Sequence, residues 1–221
     1  MSFQYPYVHA TQIPSKQTAT QLKGRDKDQE VAENTAPARC VSFRRPSFEK
    51  AVKGGKEYGT ALHRFMQYAD YSACGSEDSV RQQIEKMEVS NLLTKEQAEM
   101  MNPASVVSFF NTPVGKTLSK HSNVLREFKF SLLVDANRFY PDTEGEQILL
   151  QGVIDCAMID EDGITVIDFK TDHATEQSLE ELSHRYAEQV QAYKEALERM
   201  YGMPVKDTCL YFFSMGKFVY L

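Results

Sequence analysis

Two apolar segments that each carry an aspartate limit what this chain can fold into. The first runs from Ile148 to Ile159 and contains Gly152-Val153-Ile154-Asp155; the second starts at Ile164 and ends on Asp168-Phe169-Lys170. Between them lies Asp160-Glu161-Asp162-Gly163, a composition that reverses chain direction. If these residues form the loop of an antiparallel hairpin, Ile159 pairs with Ile164 and Asp155 falls opposite Asp168. Side chains alternate along a strand, so Asp168 and Lys170 share a face, and any even loop length keeps Asp155 on that face.

Two carboxylates opposed among apolar residues repel, and something must neutralise them. A divalent cation does so directly. Oxygen ligands with a few retained waters suit Mg²⁺ or Mn²⁺, and a neighbouring ammonium can orient an attacking water or stabilise charge on a phosphate. The pattern therefore points to phosphodiester hydrolysis. The bland alternative pairs Lys170 with one acid at a sheet edge, and for an isolated Asp-x-Lys that alternative would prevail. The second aspartate at hairpin distance favours the metal site.

A chain of 221 residues with 42% hydrophobic content can bury a sizeable core, in one large domain or one domain with appendages. No stretch approaches the roughly 20 apolar residues needed to cross a bilayer, and Met1 to Tyr7 lacks the layout of a secretion signal. A cytoplasmic protein with no membrane partner is expected. Cys40, Cys74, Cys156 and Cys209 are scattered without short paired spacing, which favours reduced, mostly buried thiols. The formal net charge of −6 is awkward for a protein that binds nucleic acid. It is an average, however. From Arg39 to Lys56 the chain carries Arg39, Arg44, Arg45, Lys50, Lys53 and Lys56 against the single acid Glu49, with Phe43 and Phe48 interleaved. That strip reads equally well as a surface tracking a phosphate backbone or as a solvated linker.

Residues 1–40 show no sustained period and are expected to form an extended arm or tether, leaving 41–221 as the folded domain. A helix starts near Glu57, where Tyr58, Ala61, Leu62, Phe65, Met66 and Ala69 recur at helical spacing and place His63 and Gln67 one turn apart on a flank. Further helices are expected at Asp78 to Val89, at Thr94 to Met101 with a Thr94/Gln97 capping box, and at Pro103 to Phe110. The period then changes. Val124 to Ala136, Gln147 to Ile159 and Ile164 to Thr171 read as strands, followed by a long helix from about Glu176 to Tyr201 closed by Gly202. Val205 to Ser214 and Phe218 to Leu221 complete the pattern. The expected fold is α/β, a mixed β-sheet flanked by helices with a helical N-terminal half.

Five segments in order carry a family resemblance: Gly59-Thr60-Ala61-Leu62-His63, Arg126-Glu127-Phe128, Gly152-Val153-Ile154-Asp155, Asp168-Phe169-Lys170-Thr171-Asp172, and Gln189-Val190-Gln191-Ala192-Tyr193. Together they resemble the RecB-type nucleases of the PD-(D/E)XK superfamily, and within it the nuclease domains of AddA-type helicase-nucleases. Tyr5-Pro6-Tyr7 and Ile13-Pro14-Ser15-Lys16 are similar to the stretch that leads into such domains. The resemblance implies a restriction-endonuclease-like fold and a Mg²⁺-dependent deoxyribonuclease, an exonuclease acting on single-stranded DNA in double-strand break repair and recombination. It implies that His63, Asp155, Asp168 and the carbonyl of Phe169 hold the metal, that Asp155, Asp168 and Lys170 are catalytic, and that Gln189 and Tyr193 bind substrate. It also implies covalently attached helicase domains in a longer polypeptide, together with an AddB-type subunit. Glu127 reads equally as an acid near the metal or as a strand-edge charge paired with Arg126 or Lys129.

Certain relatives hold an iron–sulfur cluster through four cysteines. The cysteine spacing here does not match, so no cluster is expected. No Gly-x-x-x-x-Gly-Lys-Ser/Thr loop occurs, so no ATP site is expected in this fragment. Two rivals remain: a catalytically idle DNA-binding or scaffolding module on the same fold, and a stand-alone exonuclease outside any helicase complex.

Overall fold

The computed structural model describes residues 13–22 and 55–221. Tyr5-Pro6-Tyr7, Cys40 and nearly all of the basic strip from Arg39 to Lys56 lie outside the described residues. Among the described residues, five α-helices lie between positions 55 and 118: α1 (Gly55–Tyr68), α2 (Glu77–Val89), α3 (Lys95–Met100), α4 (Pro103–Asn111) and α5 (Pro113–Leu118). Four of them begin at a capping side chain. Ser76 accepts from the Ser79 amide, Thr94 and Gln97 form the expected capping box, and Asn102 and Thr112 cap α4 and α5, each with a proline at the first helical position. Helix α5 was not expected. Its signal is the pair Thr112-Pro113, which ends one helix and starts the next.

Among the described residues the sheet has six strands: β1 (Lys16–Thr18), β2 (Val124–Asp135), β3 (Gln147–Asp160), β4 (Gly163–Lys170), β5 (Val205–Phe212) and β6 (Lys217–Tyr220). The order is β1-β3-β4-β5-β6, with β2 on the other edge of β3. Strands β3 and β4 form the expected antiparallel hairpin, with Ile159 opposite Ile164. The long helix α6 (Leu179–Tyr201) carries the chain from β4 to the parallel strand β5 and ends on Gly202 at φ 65°. It starts later than Glu176 because Thr175 and Ser178 exchange side-chain and backbone hydrogen bonds in a turn of their own.

Helices α1 to α5 cover one face of the sheet, burying Leu62, Phe65, Phe109 and Phe110 against Ile167, Phe169 and Tyr211. Helix α6 covers the other, with Tyr193, Ala196 and Leu197 against Ile154, Ile164 and Val166. Each large apolar side chain buried this way contributes about 1.5–3 kcal/mol. Residues 13–22, within the segment read as an arm, enter the fold: β1 pairs in parallel with Leu149 to Gln151, and Ala19 and Leu22 are buried beside α6. Cys74, Cys156 and Cys209 are buried free thiols. No helix among the described residues is long and apolar enough to cross a membrane.

The edge of β3 that faces β1 and β4 has a gap. Pairing with β4 stops at Cys156↔Ile167 and pairing with β1 reaches only Gln151↔Thr18, so Gly152 to Asp155 have no strand neighbour on that side among the described residues. Across β3, Gly152 pairs with Phe130 of β2. A Cβ at position 152 would lie 2.5 Å from the Phe130 ring and 3.1 Å from the Ala19 methyl. Gly152→Ala is expected to destabilise the domain by about 1–3 kcal/mol through overpacking; thermal or denaturant unfolding measures it, and an unchanged midpoint would mean that Phe130 does not lie over this glycine.

Candidate active site

Helix α1 buries Ala61, Leu62, Phe65 and Met66 and leaves His63 partly exposed on the flank nearest the gap. Its C-terminal end is fastened by Arg126 of β2. The guanidinium donates to the carbonyls of Ala69 (2.6 Å) and Gln67 (3.4 Å) and lies 3.5 Å from the centre of the Tyr71 ring. A cation at the last helical carbonyls is favourable, and here it also fixes the orientation of α1 against β2.

The next residue, Glu127, sits at φ 47°, in the left-handed region that non-glycine residues seldom occupy. Side-chain facing inverts there on both strands. On β2, Phe128, Phe130 and Val134 face α6 on one side of Glu127 and Leu125 does so on the other. On β3, Ile148, Leu150 and Ile154 face α6 before Asp155, and Ala157 and Ile159 after it. Glu127 and Asp155 are thus opposite residues at a shared kink. His63 meets both, its Nδ1 lying 3.4 Å from Asp155 Oδ1 and 3.6 Å from Glu127 Oε1. The ligand atoms of these three residues fall within 4.8 Å of one another.

Asp155 and Asp168 do not complete the hairpin ladder, which ends one pair earlier. Instead Asp155 Oδ2 accepts the Phe169 amide proton at 2.8 Å. In an extended strand the N–H and C=O of one residue point to the same edge, so the Phe169 carbonyl also faces the gap. Asp168 and Lys170 are buried on the α6 face and form an ion pair through Oδ2 and Nζ. That oxygen meets the ammonium without hydrogen-bond geometry and has no other donor among the described residues. Lys170 Nζ also donates to Gln189 Oε1 at 3.2 Å, and the Gln189 amide donates to the Tyr193 hydroxyl. The expected Gln189/Tyr193 pair is therefore buried, with its polar groups turned to Lys170 rather than to solvent.

All seven residues expected at the site, His63, Asp155, Asp168, Phe169, Lys170, Gln189 and Tyr193, line one cleft of about 840 Å³. A smaller opening of about 350 Å³ reaches His63, Glu127 and Asp155 from the α1 side. Three contributors were not assigned from sequence. Glu127 owes its position to a kink that no local pattern announces. Arg126 acts through helix carbonyls distant in sequence. Tyr186, one turn before Gln189, belongs to no segment singled out in the sequence and places its ring 3.7 Å from Lys170 Nζ.

The electrostatics fit a cation. Burial works to lower the His63 pKa, but Asp155 and Glu127 outweigh it and hold the imidazolium up to a pKa of about 10. Burial and repulsion from Asp155 push the Asp168 carboxyl up. Burial also acts to raise Asp155, but His63, Lys170 and the Phe169 amide hold it below the ordinary carboxylate range. Without metal, protons and the lysine offset the carboxylates. The donors are hard oxygens and one imidazole, a set that suits a small divalent ion.

A family model described as the PD-(D/E)XK nuclease superfamily matches residues 39–219. The chain belongs to the PD-(D/E)XK nuclease superfamily. Among curated relatives, an ATP-dependent helicase/nuclease subunit of the AddA type from Clostridium botulinum strain Hall is 32% identical over 99% of this chain. Its counterparts in Bacillus cereus strain Q1 and Acetivibrio thermocellus are 39% and 36% identical over 97% and 98% of it. The chain spans 18% of the length of each of these relatives. It is thus homologous to a nuclease region of AddA-type proteins, and nucleases of this superfamily generally use a divalent metal.

Protons held in the metal-free cleft make its stability depend on pH. His63, raised from 6.5 to about 10, stabilises the fold fully below about pH 6.5 and stops doing so as pH rises through about 10. Asp168, also raised, loses its contribution as pH rises through its elevated pKa. In EDTA the melting temperature should fall between pH 6.5 and 10, and the stabilisation by saturating Mn²⁺ should grow over the same range as the ion displaces a proton. Melts across that range check it; the same slopes in a His63→Ala variant would show that the histidine is not the group responsible.

Proposed function

We propose that this domain hydrolyses phosphodiester bonds in DNA, preferentially single-stranded, with Mg²⁺ as the working ion and Mn²⁺ as a substitute. The observation that carries this reading is the meeting of His63, Glu127 and Asp155 within 4.8 Å, beside the buried Asp168–Lys170 pair in the same cleft. His63, Asp155, Asp168 and the Phe169 carbonyl would hold the ion, with Glu127 completing the set. A bound dication would polarise the scissile phosphate and lower the pKa of a coordinated water.

The chain's own groups do the rest. Lys170 Nζ, held by Gln189, orients the attacking water and offsets negative charge that builds on the phosphate. Asp168 anchors the lysine and would offer an oxygen to a bound ion. Asp155, fixed by the Phe169 amide, keeps its other oxygen toward His63. Gln189 and Tyr193 bear on substrate through the position they give Lys170. A buried ion pair adds little to stability and can often be replaced by apolar residues at no loss, so a domain that only scaffolds would have little reason to retain this one.

The relatives are ATP-dependent helicase/nuclease proteins, and a strand delivered by a motor is single. We place the domain accordingly at the nuclease end of a longer polypeptide, working with attached helicase domains and an AddB-type subunit in double-strand break repair and recombination. Labelled single-stranded DNA should be lost in Mg²⁺ and preserved in EDTA. Asp168→Asn and Lys170→Met should each lower the rate by at least about 10²-fold while circular dichroism stays native; full cutting by either would remove this mechanism. Co-purification with an AddB-type subunit separates the helicase complex from a stand-alone exonuclease.

A further inference from the structure

The Lys170 ammonium is almost enclosed, and its surroundings are unequal. Asp168 supplies charge, Gln189 Oε1 accepts one N–H at 3.2 Å, and the Tyr186 ring presents its face 3.7 Å away. Tyr186 is itself buried, and its hydroxyl donates to Asp172 Oδ2, two residues beyond the lysine on the same strand exit. The ring is therefore tied at its far end to the segment it supports.

We propose that Tyr186 is a positioning residue for Lys170, a π-face pedestal that holds the ammonium against the cleft. This rests on the nuclease reading of Lys170. A carboxylate or amide neighbour fixes an ammonium by taking a hydrogen bond, and each bond so made turns one N–H away from the reaction. An aromatic face attracts the cation as a whole and sets its direction less strictly than a lone-pair acceptor does. The distinction would matter if a metal ion drew on the oxygens of Asp168, because the lysine would then rely more on Gln189 and the ring. Asp172 sets the ring plane through the hydroxyl, so the face, rather than the hydroxyl, is what Lys170 meets.

The test is single-stranded DNA cleavage by Tyr186→Met and Tyr186→Phe, each made also in a Lys170→Met background. Methionine fills the space without a π-face and should lower kcat roughly tenfold with little change in KM. Phenylalanine keeps the face and should recover kcat to within about threefold of the unmodified protein. In the Lys170→Met background neither change should lower the residual rate further. Fluorinated phenylalanines at position 186 preserve shape while draining the ring face, and kcat should fall with each added fluorine; melting curves of this series exclude a folding effect. Wild-type kcat in Tyr186→Met, or a phenylalanine variant as slow as the methionine one, or kcat indifferent to fluorination, would overturn the pedestal alone. A Lys170→Met protein that still cuts at full rate would overturn the nuclease reading and this inference together.

Discussion

The site depends on a gap in the sheet. An unbroken lane beside β3 would seal the two helical layers from each other, and no side chain of α1 could meet one that faces α6. Because β4 leaves β3 after Cys156↔Ile167 and β1 takes up the lane only at Gln151↔Thr18, the stretch from Gly152 to Asp155 is open on one edge. His63 approaches from one layer. Lys170, Gln189 and Tyr186 approach from the other. The kink at Glu127 and Asp155 inverts facing on both strands at this level, so that an acid from each strand turns toward the opening rather than into a core. A left-handed residue inside a strand is unfavourable by about 1–3 kcal/mol and persists only where its surroundings over-determine it. Here Arg126 on one side, fastened to α1, and the ladder from Phe128 onward on the other leave Glu127 little choice.

Charge at the opening is balanced internally. Asp155 and Glu127 keep His63 protonated, and Asp168 keeps Lys170 company in near-complete burial. Such pairs are poor devices for stability, since desolvation consumes most of their attraction. They are well suited to exchange. On the proposed reading, a dication bound there would take the place of a proton on His63 and of a share of the lysine's attraction for Asp168, so the carboxylates would stay compensated. The overall charge of −6 does not oppose this, because the local balance, not the sum over the surface, decides what the cleft accepts.

How much of this could be read from the sequence depended on how local each determinant was. The β3–β4 hairpin was legible because a short turn fixes register, and alternation then places every side chain; the same holds for the Thr94/Gln97 cap and for Gly202 at the end of α6. The strand Lys16-Gln17-Thr18 was not legible, since three polar residues show no pattern and pair only because β3 offers a free edge. Glu127 read equally as an acid near the metal or as a strand-edge charge paired with Arg126 or Lys129, because only a positive φ, which no local pattern announces, sends it to His63. Nothing local in the sequence singles out Tyr186, because its contact with Lys170 exists only once β4 lies beneath α6. Non-local geometry is what each of these cases lacked.

Two segments that look independent in sequence turn out to be one mechanical unit. Gly152 has no Cβ, and this lets the ring of Phe130, its partner across β2 and β3, lie over the strand. The Phe130 ring meets Tyr193 of α6 edge to face, with centroids 5.9 Å apart. Tyr193 in turn accepts the Gln189 amide, and Gln189 accepts from Lys170. The order of support therefore runs from a glycine on the open edge of β3, through two aromatic rings and an amide, to the ammonium in the cleft. A glutamine alone could adopt several rotamers and hold Lys170 in none of them; locked by a tyrosine four residues on, which is itself wedged by an aromatic that only a glycine admits, it has one. That is why the glycine three residues before Asp155 belongs with the acids of the cleft, although it carries no side chain.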